Sequence, residues 1–238
     1  MKVVVTGGSS GLGREICMLL AAKGHKVLFS YFRNKEGAEE LVRQYGCEAF
    51  QCNFSENQDV DSFCAKINEW KPDALINNAH AILEVKHFHR FTAEEVDAGF
   101  RSNVLPAVKM ALACIRLFRK QKQGRIITTL SNNVVNRPGL GVSIYTAEKM
   151  YLLGLHRSWV TEFEGLNLQS FCVSPGMMMT NLMKASMDER QLVLLERSQP
   201  MGRFILPSEV APTYVVLLET STYANGSHII VDGENYLV

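Results

Sequence analysis

The sequence has almost no net charge, because 25 Lys and Arg residues are balanced by 24 Asp and Glu residues and the formal net charge is +1. A chain this close to neutral has no long-range field that would attract nucleic acid or an anionic membrane surface. We therefore expect neither a nucleic acid nor a membrane as a partner. Hydrophobic residues make up 47% of the 238 positions, which is typical of a globular protein and not of a disordered chain.

Long apolar runs are missing as well. The N-terminal stretch MKVVVTGGSSGLG is interrupted by glycines before it reaches the length of a signal peptide, and no later stretch is long enough to span a bilayer. The six cysteines include no C-x-x-C pair and mostly lie inside apolar runs, so we expect reduced thiols in the core. These absences predict a soluble cytoplasmic protein.

The sequence also offers no convincing set of metal ligands. His87 and His89 lie close together in KHFHR, but no further Cys, His or acidic residue follows at ligand spacing. We interpret both as surface or pocket-rim histidines and predict no metal site.

Short apolar runs alternate with longer segments of helical periodicity along the whole chain. The strand candidates are residues 2–6, 26–31, 47–52, 73–77, 124–130, 168–174 and 227–232. The helix candidates are residues 14–23, 35–45, 60–70, 103–120, 143–164 and 207–218. This order predicts an α/β protein with a parallel sheet covered by helices on both faces. No linker divides the chain, so we expect a single domain over residues 1–238.

The first loop, in VVVTGGSSGLG, has glycines at positions 7, 11 and 13. Glycines there allow a tight turn and let a pyrophosphate approach the backbone at the N-terminus of the next helix. The spacing G-x-x-x-G-x-G departs from the standard G-x-G-x-x-G. Because the loop follows a strand and opens a helix, we favour a dinucleotide site over a purely structural turn.

Cofactor choice is expected to depend on the end of the second strand, where NAD-binding proteins use an Asp or Glu for the ribose hydroxyls. The stretch SYFRN has no acidic residue there and has Arg33 instead. A guanidinium can pair with the 2′-phosphate of NADP(H), so we predict NADP(H) in preference to NAD(H). The alternative is that Arg33 is only a solvated surface charge.

Six motifs follow one another in the sequence: TGGSSGLG at 6–13, NNAH at 77–80, SNV at 102–104, IITTLS at 126–131, YTAEK at 145–149 and SPGMMMT at 174–180. In order and spacing they resemble the short-chain dehydrogenase/reductase family, and in particular its 3-oxoacyl-carrier-protein reductase-like members. The resemblance implies one Rossmann-like, doubly wound domain with a seven-stranded parallel sheet. It also implies an oxidoreductase that interconverts a ketone and a secondary alcohol by hydride transfer, assembled as a homodimer or homotetramer.

The same resemblance implies the catalytic residues. Tyr145 matches the acid/base, Lys149 its partner, Ser131 the residue that orients the substrate oxygen, and Asn103 the residue that supports a water relay. Tyrosine and lysine at i and i+4 share one helix face. A nearby ammonium favours the phenolate, so we expect Lys149 and the positive nicotinamide ring to lower the pKa of Tyr145 toward neutrality.

The cofactor-binding residues are carried over in the same way. Asn53 matches a residue that contacts adenine, Asn77 one that stabilises the central strand, and Thr180 one that contacts the nicotinamide carboxamide. The full cofactor set implied by the resemblance is Gly7, Ser9, Ser10, Gly11, Leu12, Gly13, Arg33, Asn53, Asn77, Ala79, Tyr145, Lys149, Pro175, Gly176 and Thr180.

Two positions depart from the family pattern in ways that concern the site. His80 stands where the family usually has glycine, so an imidazole is expected beside the cofactor and substrate. One extra residue separates Ser131 from Tyr145, and Asn132 occupies the usual serine position. These departures leave room for a function of another class, a cofactor-binding regulatory subunit with a blocked active site.

Substrate identity is the least determined property. Residues 177–199 are expected to form a substrate lid, and with His80 its residues Met177 and Met178 are substrate-contact candidates. Its five methionines favour an apolar or acyl-chain substrate, although ordinary packing explains them equally well. A basic cluster in residues 116–125 suggests docking of an acidic carrier protein, and hence a 3-oxoacyl-thioester reductase. A solvated helix end explains that cluster too.

Overall fold

The structure, a computed structural model, describes residues 1–81, 83–179 and 188–233. Within these ranges seven strands form one sheet in the order β3-β2-β1-β4-β5-β6-β7. Each neighbouring pair is parallel, so the predicted seven-stranded parallel sheet is confirmed. The strands are β1 Lys2–Val5, β2 Lys26–Tyr31, β3 Glu48–Gln51, β4 Ala74–Asn77, β5 Gly124–Thr129, β6 Leu168–Pro175 and β7 His228–Val231.

The described helices connect these strands and cover the sheet. They are α1 Gly11–Ala22, α2 Lys35–Tyr45, α3 Asn57–Trp70, α4 Ala93–Gly99, α5 Leu105–Gln121, α6 Ser143–Glu162, α7 Glu189–Arg197 and α8 Pro207–Glu219. A π-helical turn, Phe100–Val104, joins α4 to α5. The sequence did not predict α4 or α7, which are both too short for a sustained helical period. None of the helices in the described ranges is long and apolar enough to cross a membrane.

The sheet separates two apolar cores. Val3 and Val5 of β1 pack into the cluster formed with α1, α2 and α8, whereas Val4 packs into the cluster formed with α3 and α5. Alternate residues of a strand point to opposite faces, so a strand buried on both sides is apolar at most of its positions. This explains why the strands appear in the sequence as continuous apolar runs.

The six cysteines lie in the buried apolar clusters or pack against them. All six are unpaired, and five of them are buried, while Cys64 is half-buried. Burial raises the pKa of the Cys17, Cys114 and Cys172 thiols, which keeps them protonated and unreactive. The prediction of reduced core thiols agrees with these positions.

The strand order reverses between β1 and β4, and this reversal creates a crevice at the carboxyl ends of the two strands. Thr6, which follows β1, accepts hydrogen bonds through Oγ1 from the backbone N–H groups of Asn78 and Ala79, at 2.9 Å each. These bonds hold the ends of β1 and β4 together. The loops that start there form the walls of the crevice described next.

Candidate active site

The glycine-rich turn between β1 and α1 forms one wall of the crevice. Gly7 has φ +71° and Gly11 has φ +53°, and a side chain at position 11 would meet no atom within 4 Å. A Cβ on Gly13 would lie 2.1 Å from the carbonyl oxygen of Gly7, so only glycine allows this approach of the helix to the turn. The turn therefore leaves its backbone open at the N-terminus of α1, where an anionic phosphate is favoured.

The crevice continues as a groove of about 470 Å³ formed by the loops after β1, β2, β3 and β4. The predicted cofactor residues Ser9, Ser10, Arg33, Asn53 and Ala79 all line it. Among the described residues that line the groove, none is Asp or Glu. The groove therefore has a shape and charge that suit a dinucleotide, and Leu12 and Gly13 lie beside it in the first turn of α1.

The loop with Arg33 is attached to the glycine-rich turn through Asn34. The Asn34 side chain donates to the backbone oxygen of Ser9 (2.7 Å) and accepts from the N–H of Gly37 (3.1 Å), which caps α2. Arg33 is exposed, and its guanidinium lies 5.2 Å from the ring centroid of Phe32. A cationic side chain is thus held at the rim of the groove, beside Ser9 and Ser10.

Two adjacent asparagines follow β4 into the groove with different contacts. Asn77 is buried and donates to the backbone oxygen of Ala107 (3.4 Å) at the start of α5. Asn78, which the sequence analysis did not select, donates to the backbone oxygen of Thr6 (3.1 Å) and accepts from Oγ1 of Thr129 (3.4 Å). The amide that joins β1, β4 and β5 beside the groove is therefore that of Asn78.

Lys149 lies inside the protein, on the first part of α6. Its Nζ donates to the backbone oxygen of Thr129 (2.9 Å), at the end of β5, and lies 5.8 Å from the ring centroid of Tyr145. Burial lowers the pKa of Lys149 to about 8, against the opposing effect of the Glu148 carboxylate. Near neutral pH the amine is thus close to its titration point.

Ser131 follows β5 and lies next to Tyr145. A 3-10 turn, Asn132–Val134, begins directly after Ser131, and Ser131 Oγ accepts from the N–H of Asn133 (3.2 Å). A hydrogen bond from Ser131 to the Tyr145 hydroxyl lowers the pKa of Tyr145. Ser131, the residue selected from the sequence, therefore lies next to the tyrosine.

In the protein by itself the pKa of Tyr145 is raised. Burial raises it above the ordinary value, the Glu148 carboxylate adds to the rise, and the hydrogen bond from Ser131 only partly opposes them. The expected lowering concerns the cofactor complex, where the positive nicotinamide ring would add to the effect of Lys149, and it stays a prediction. Tyr145 is a protonated phenol at neutral pH.

Asn103 lies in the π-helical turn before α5. Its Oδ1 accepts from the N–H of Ala81 (2.8 Å), and its Nδ2 donates to Oε2 of Glu148 (3.0 Å). Turns of this kind are rare and occur frequently at functional sites. Glu148 is not among the site residues predicted from the sequence, although a residue at i+3 from Tyr145 shares its helix face, and this spacing was the available signal.

His80 lies between the groove and Tyr145. Its ring packs edge-on against the Tyr145 ring, with centroids 4.9 Å apart at 71°, and its Nε2 lies 3.0 Å from Oε2 of Glu148. Burial lowers the pKa of His80, so the imidazole is neutral near pH 7 even though Glu148 opposes this shift. The imidazole that replaces the expected glycine thus belongs to the wall of the site.

The described residues of the segment after β6 do not line the groove. Gly176 donates its N–H to the backbone oxygen of Val231 (2.8 Å), directly after the buried Pro175. Met177 is exposed and lines a cavity of about 250 Å³, whereas Met178 pairs with Ile205 and packs against the core. Thr180 lies outside the described residues, as does the rest of 180–187, so of the predicted lid the structure describes 177–179 and 188–199.

Replacement of the buried amine tests the Lys149 environment. We expect Lys149→Met to be more stable than the wild type at pH 7 by roughly 2 to 3 kcal/mol, because burial disfavours the charged amine. The folded wild type binds fewer protons than the unfolded chain between pH about 8 and the ordinary lysine pKa. Its stability relative to the variant therefore rises with pH in that window. Urea unfolding of both proteins at several pH values measures this difference, and a difference that does not change with pH would contradict the prediction.

Comparison with known proteins adds independent information to this geometry. Residues 1–191 match the family model described as short chain dehydrogenase. Carbonyl reductase family member 4 of Danio rerio is 31% identical over 97% of this chain and 95% of its own length. The 3-oxoacyl-[acyl-carrier-protein] reductase of Bos taurus is 30% identical over 96% of this chain and 95% of its own length.

A solved structure agrees with these sequence matches. A short chain dehydrogenase from Burkholderia cenocepacia, crystallised in complex with NADP, is 25% identical and superimposes with a TM-score of 0.85, covering 98% of this chain and 96% of that chain. The fold, the ordered motifs and the family match lead to one conclusion. The protein belongs to the short-chain dehydrogenase family and is an oxidoreductase.

Proposed function

We propose that the protein is an NADP(H)-dependent reductase that interconverts a ketone and a secondary alcohol. The observation that carries this proposal is the cluster of Ser131, Tyr145 and Lys149 at the carboxyl end of β5, beside a groove suited to a dinucleotide. The hydroxyl groups of Ser131 and Tyr145, next to the buried amine of Lys149, can bind a carbonyl oxygen and supply a proton to it.

Proton delivery follows from the state of Tyr145. Reduction adds a hydride to the carbonyl carbon and a proton to the oxygen, and the hydride is the contribution of the bound dinucleotide. The raised pKa of Tyr145 keeps its proton available for that oxygen. Ser131 donates a second hydrogen bond, which stabilises the negative charge as it develops. Lys149, with a pKa of about 8, holds a proton close to the tyrosine.

The cofactor preference rests on the rim of the groove. Arg33 is the cationic residue there, and no acidic residue among those described lines the groove. A 2′-phosphate would gain a charge-assisted hydrogen bond from the guanidinium and would meet no repelling carboxylate. The NADP complex of the Burkholderia cenocepacia relative is consistent with this choice.

Loss of the tyrosine hydroxyl tests the reaction. We expect the wild type to oxidise NADPH with at least one member of a panel of ketones, quinones and 3-oxoacyl thioesters. Tyr145→Phe should lower kcat about 10²- to 10⁴-fold, because the general acid is lost, while the Kd for NADPH, measured by fluorescence titration, changes far less. If the wild type binds NADPH but reduces nothing in the panel, the proposal fails in favour of a cofactor-binding regulatory subunit.

Removal of the guanidinium tests the cofactor preference. We expect Arg33→Ala to raise the KM for NADPH about 10- to 100-fold, since a hydrogen bond to a charged group contributes about 1.5–3 kcal/mol. The KM for NADH should not change. Arg43→Ala is the matched control, because Arg43 is exposed at the end of α2 and does not line the groove. A wild type that prefers NADH would contradict the role of Arg33.

A second candidate is the reduction of a 3-oxoacyl thioester attached to a carrier protein. It is favoured by the name of the Bos taurus relative and by the exposed Arg119 and Lys120 in the last turn of α5. Arg125, from the same basic cluster, does not belong to this surface. Its guanidinium donates to the backbone oxygens of Leu217 and Thr220 at the end of α8.

Charge reversal at the end of α5 separates the two candidates. If an acidic carrier docks there, Arg119→Glu combined with Lys120→Glu should raise the KM for a carrier-bound 3-oxoacyl substrate by about tenfold or more. The KM for the same acyl group on a small thiol should not change. Lys26→Glu with Arg43→Glu, two exposed bases elsewhere, is the control. Equal KM values in all three proteins would exclude docking at this surface.

A further inference from the structure

Glu148 is a buried carboxylate in the wall of the proposed active site. It is 5% exposed, and its Oε2 accepts hydrogen bonds from Nδ2 of Asn103 and from Nε2 of His80, at 3.0 Å each. The three residues belong to α6, to the π-helical turn and to the loop after β4. One carboxylate oxygen therefore joins three separate segments around Tyr145.

His80 and Glu148 depend on each other. A buried carboxylate is costly unless it is hydrogen-bonded, and removal of either residue leaves a buried polar group of the other without its hydrogen-bond partner. A carboxylate only accepts hydrogen bonds, so His80 carries its proton on Nε2 toward Glu148. This bond fixes the plane of the imidazole, whose ring contacts the Tyr145 ring edge-on.

The Glu148 carboxylate lies against a glycine of α4, where there is no side chain. A Cβ at position 99, the last residue of α4, would lie 2.7 Å from Oε1 of Glu148. Gly99 has ordinary right-handed helical angles, φ −59° and ψ −50°, so its conformation does not require glycine. The missing side chain is explained by the space that the carboxylate occupies.

We propose that Glu148 and His80 are positioning residues for proton transfer, because Glu148 fixes the Asn103 amide and the His80 ring, and His80 fixes the phenol of Tyr145. This inference rests on the proposed reductase function and deepens it. Neither residue needs to touch the substrate. Their effect is to hold the phenol at one angle beside Ser131, and proton transfer is sensitive to such angles.

A double-mutant cycle tests the coupling. We expect His80→Ala and Glu148→Ala each to lower kcat about tenfold or more, by displacement of reacting groups, with KM and the Kd for NADPH changed less than about twofold. The double variant should be no slower than the slower single variant. Glu148→Gln, which keeps an acceptor oxygen, should restore part of the lost kcat. Effects that multiply in the double variant, or kcat values equal to the wild type, would overturn the proposal.

Gly99→Ala tests the position of the Glu148 carboxylate without changing Glu148 itself. The added methyl group displaces the far end of the Glu148 side chain, so we expect kcat per folded molecule to fall about tenfold, together with a lower midpoint of unfolding because the displaced carboxylate loses hydrogen bonds. Gly154→Ala on α6 is the matched control, because a Cβ there meets no atom within 4 Å. It should leave kcat unchanged. A Gly99→Ala enzyme with wild-type kcat would contradict the proposal.

A titration that needs no substrate distinguishes failure of this inference from failure of the reductase proposal. Among the described residues, the ionisable groups around Tyr145 are Glu148 and Lys149 from α6, neutral His80, and Glu84 and Glu95, which line the same cavity of about 90 Å³ as Tyr145. Because the Glu148 charge raises the pKa of Tyr145, Glu148→Gln should lower it.

The phenolate absorbance of each protein is measured as the difference from its own Tyr145→Phe counterpart. A lowered pKa in Glu148→Gln supports the arrangement even if no ketone in the panel is reduced. An unchanged pKa would show that Glu148 does not face the phenol, and the inference would then be wrong while the reductase proposal stands on its own assay.

Discussion

The hydrogen bond from Nζ of Lys149 to the backbone oxygen of Thr129 is the contact around which the site is arranged. It joins the beginning of α6 to the end of β5 through a side chain that is almost fully buried. A buried ammonium without such an acceptor would be strongly unfavourable. β5 ends at Thr129, and Ser131 follows it at the start of the next turn. Tyr145 lies one helical turn before Lys149 on α6 and is therefore next to Ser131.

Most of the fold could be predicted from the sequence, because strands buried on both faces leave continuous apolar runs. The seven strand candidates coincide with the observed strands to within one or two residues. Helix α4 was not predicted because it has only seven residues. It begins with a capping box between Thr92 and Glu95, a local signal that does not depend on helical periodicity.

The candidate site was predictable to the extent that it depends on spacing. Tyr145 and Lys149 share a helix face because they are four residues apart. The spacing of the glycines in the first loop likewise indicates a tight turn before a helix. The contact between His80 and Glu148 joins residues 68 positions apart, and no local pattern indicates which loop crosses which helix. The effect of burial on the pKa of Tyr145 could not be predicted for a related reason, since a neighbouring charge is visible in the sequence but the extent of burial is not.

The empty side-chain position at Gly99 has a consequence for how this protein can change. The carboxylate of Glu148 uses the space that any larger residue at position 99 would fill, and the same carboxylate satisfies His80. Substitutions at positions 80, 99 and 148 are therefore conditional on one another. The effect of a substitution at one of these positions depends on which residues occupy the other two. Evolutionary replacement of all three residues would therefore have to occur in a restricted order.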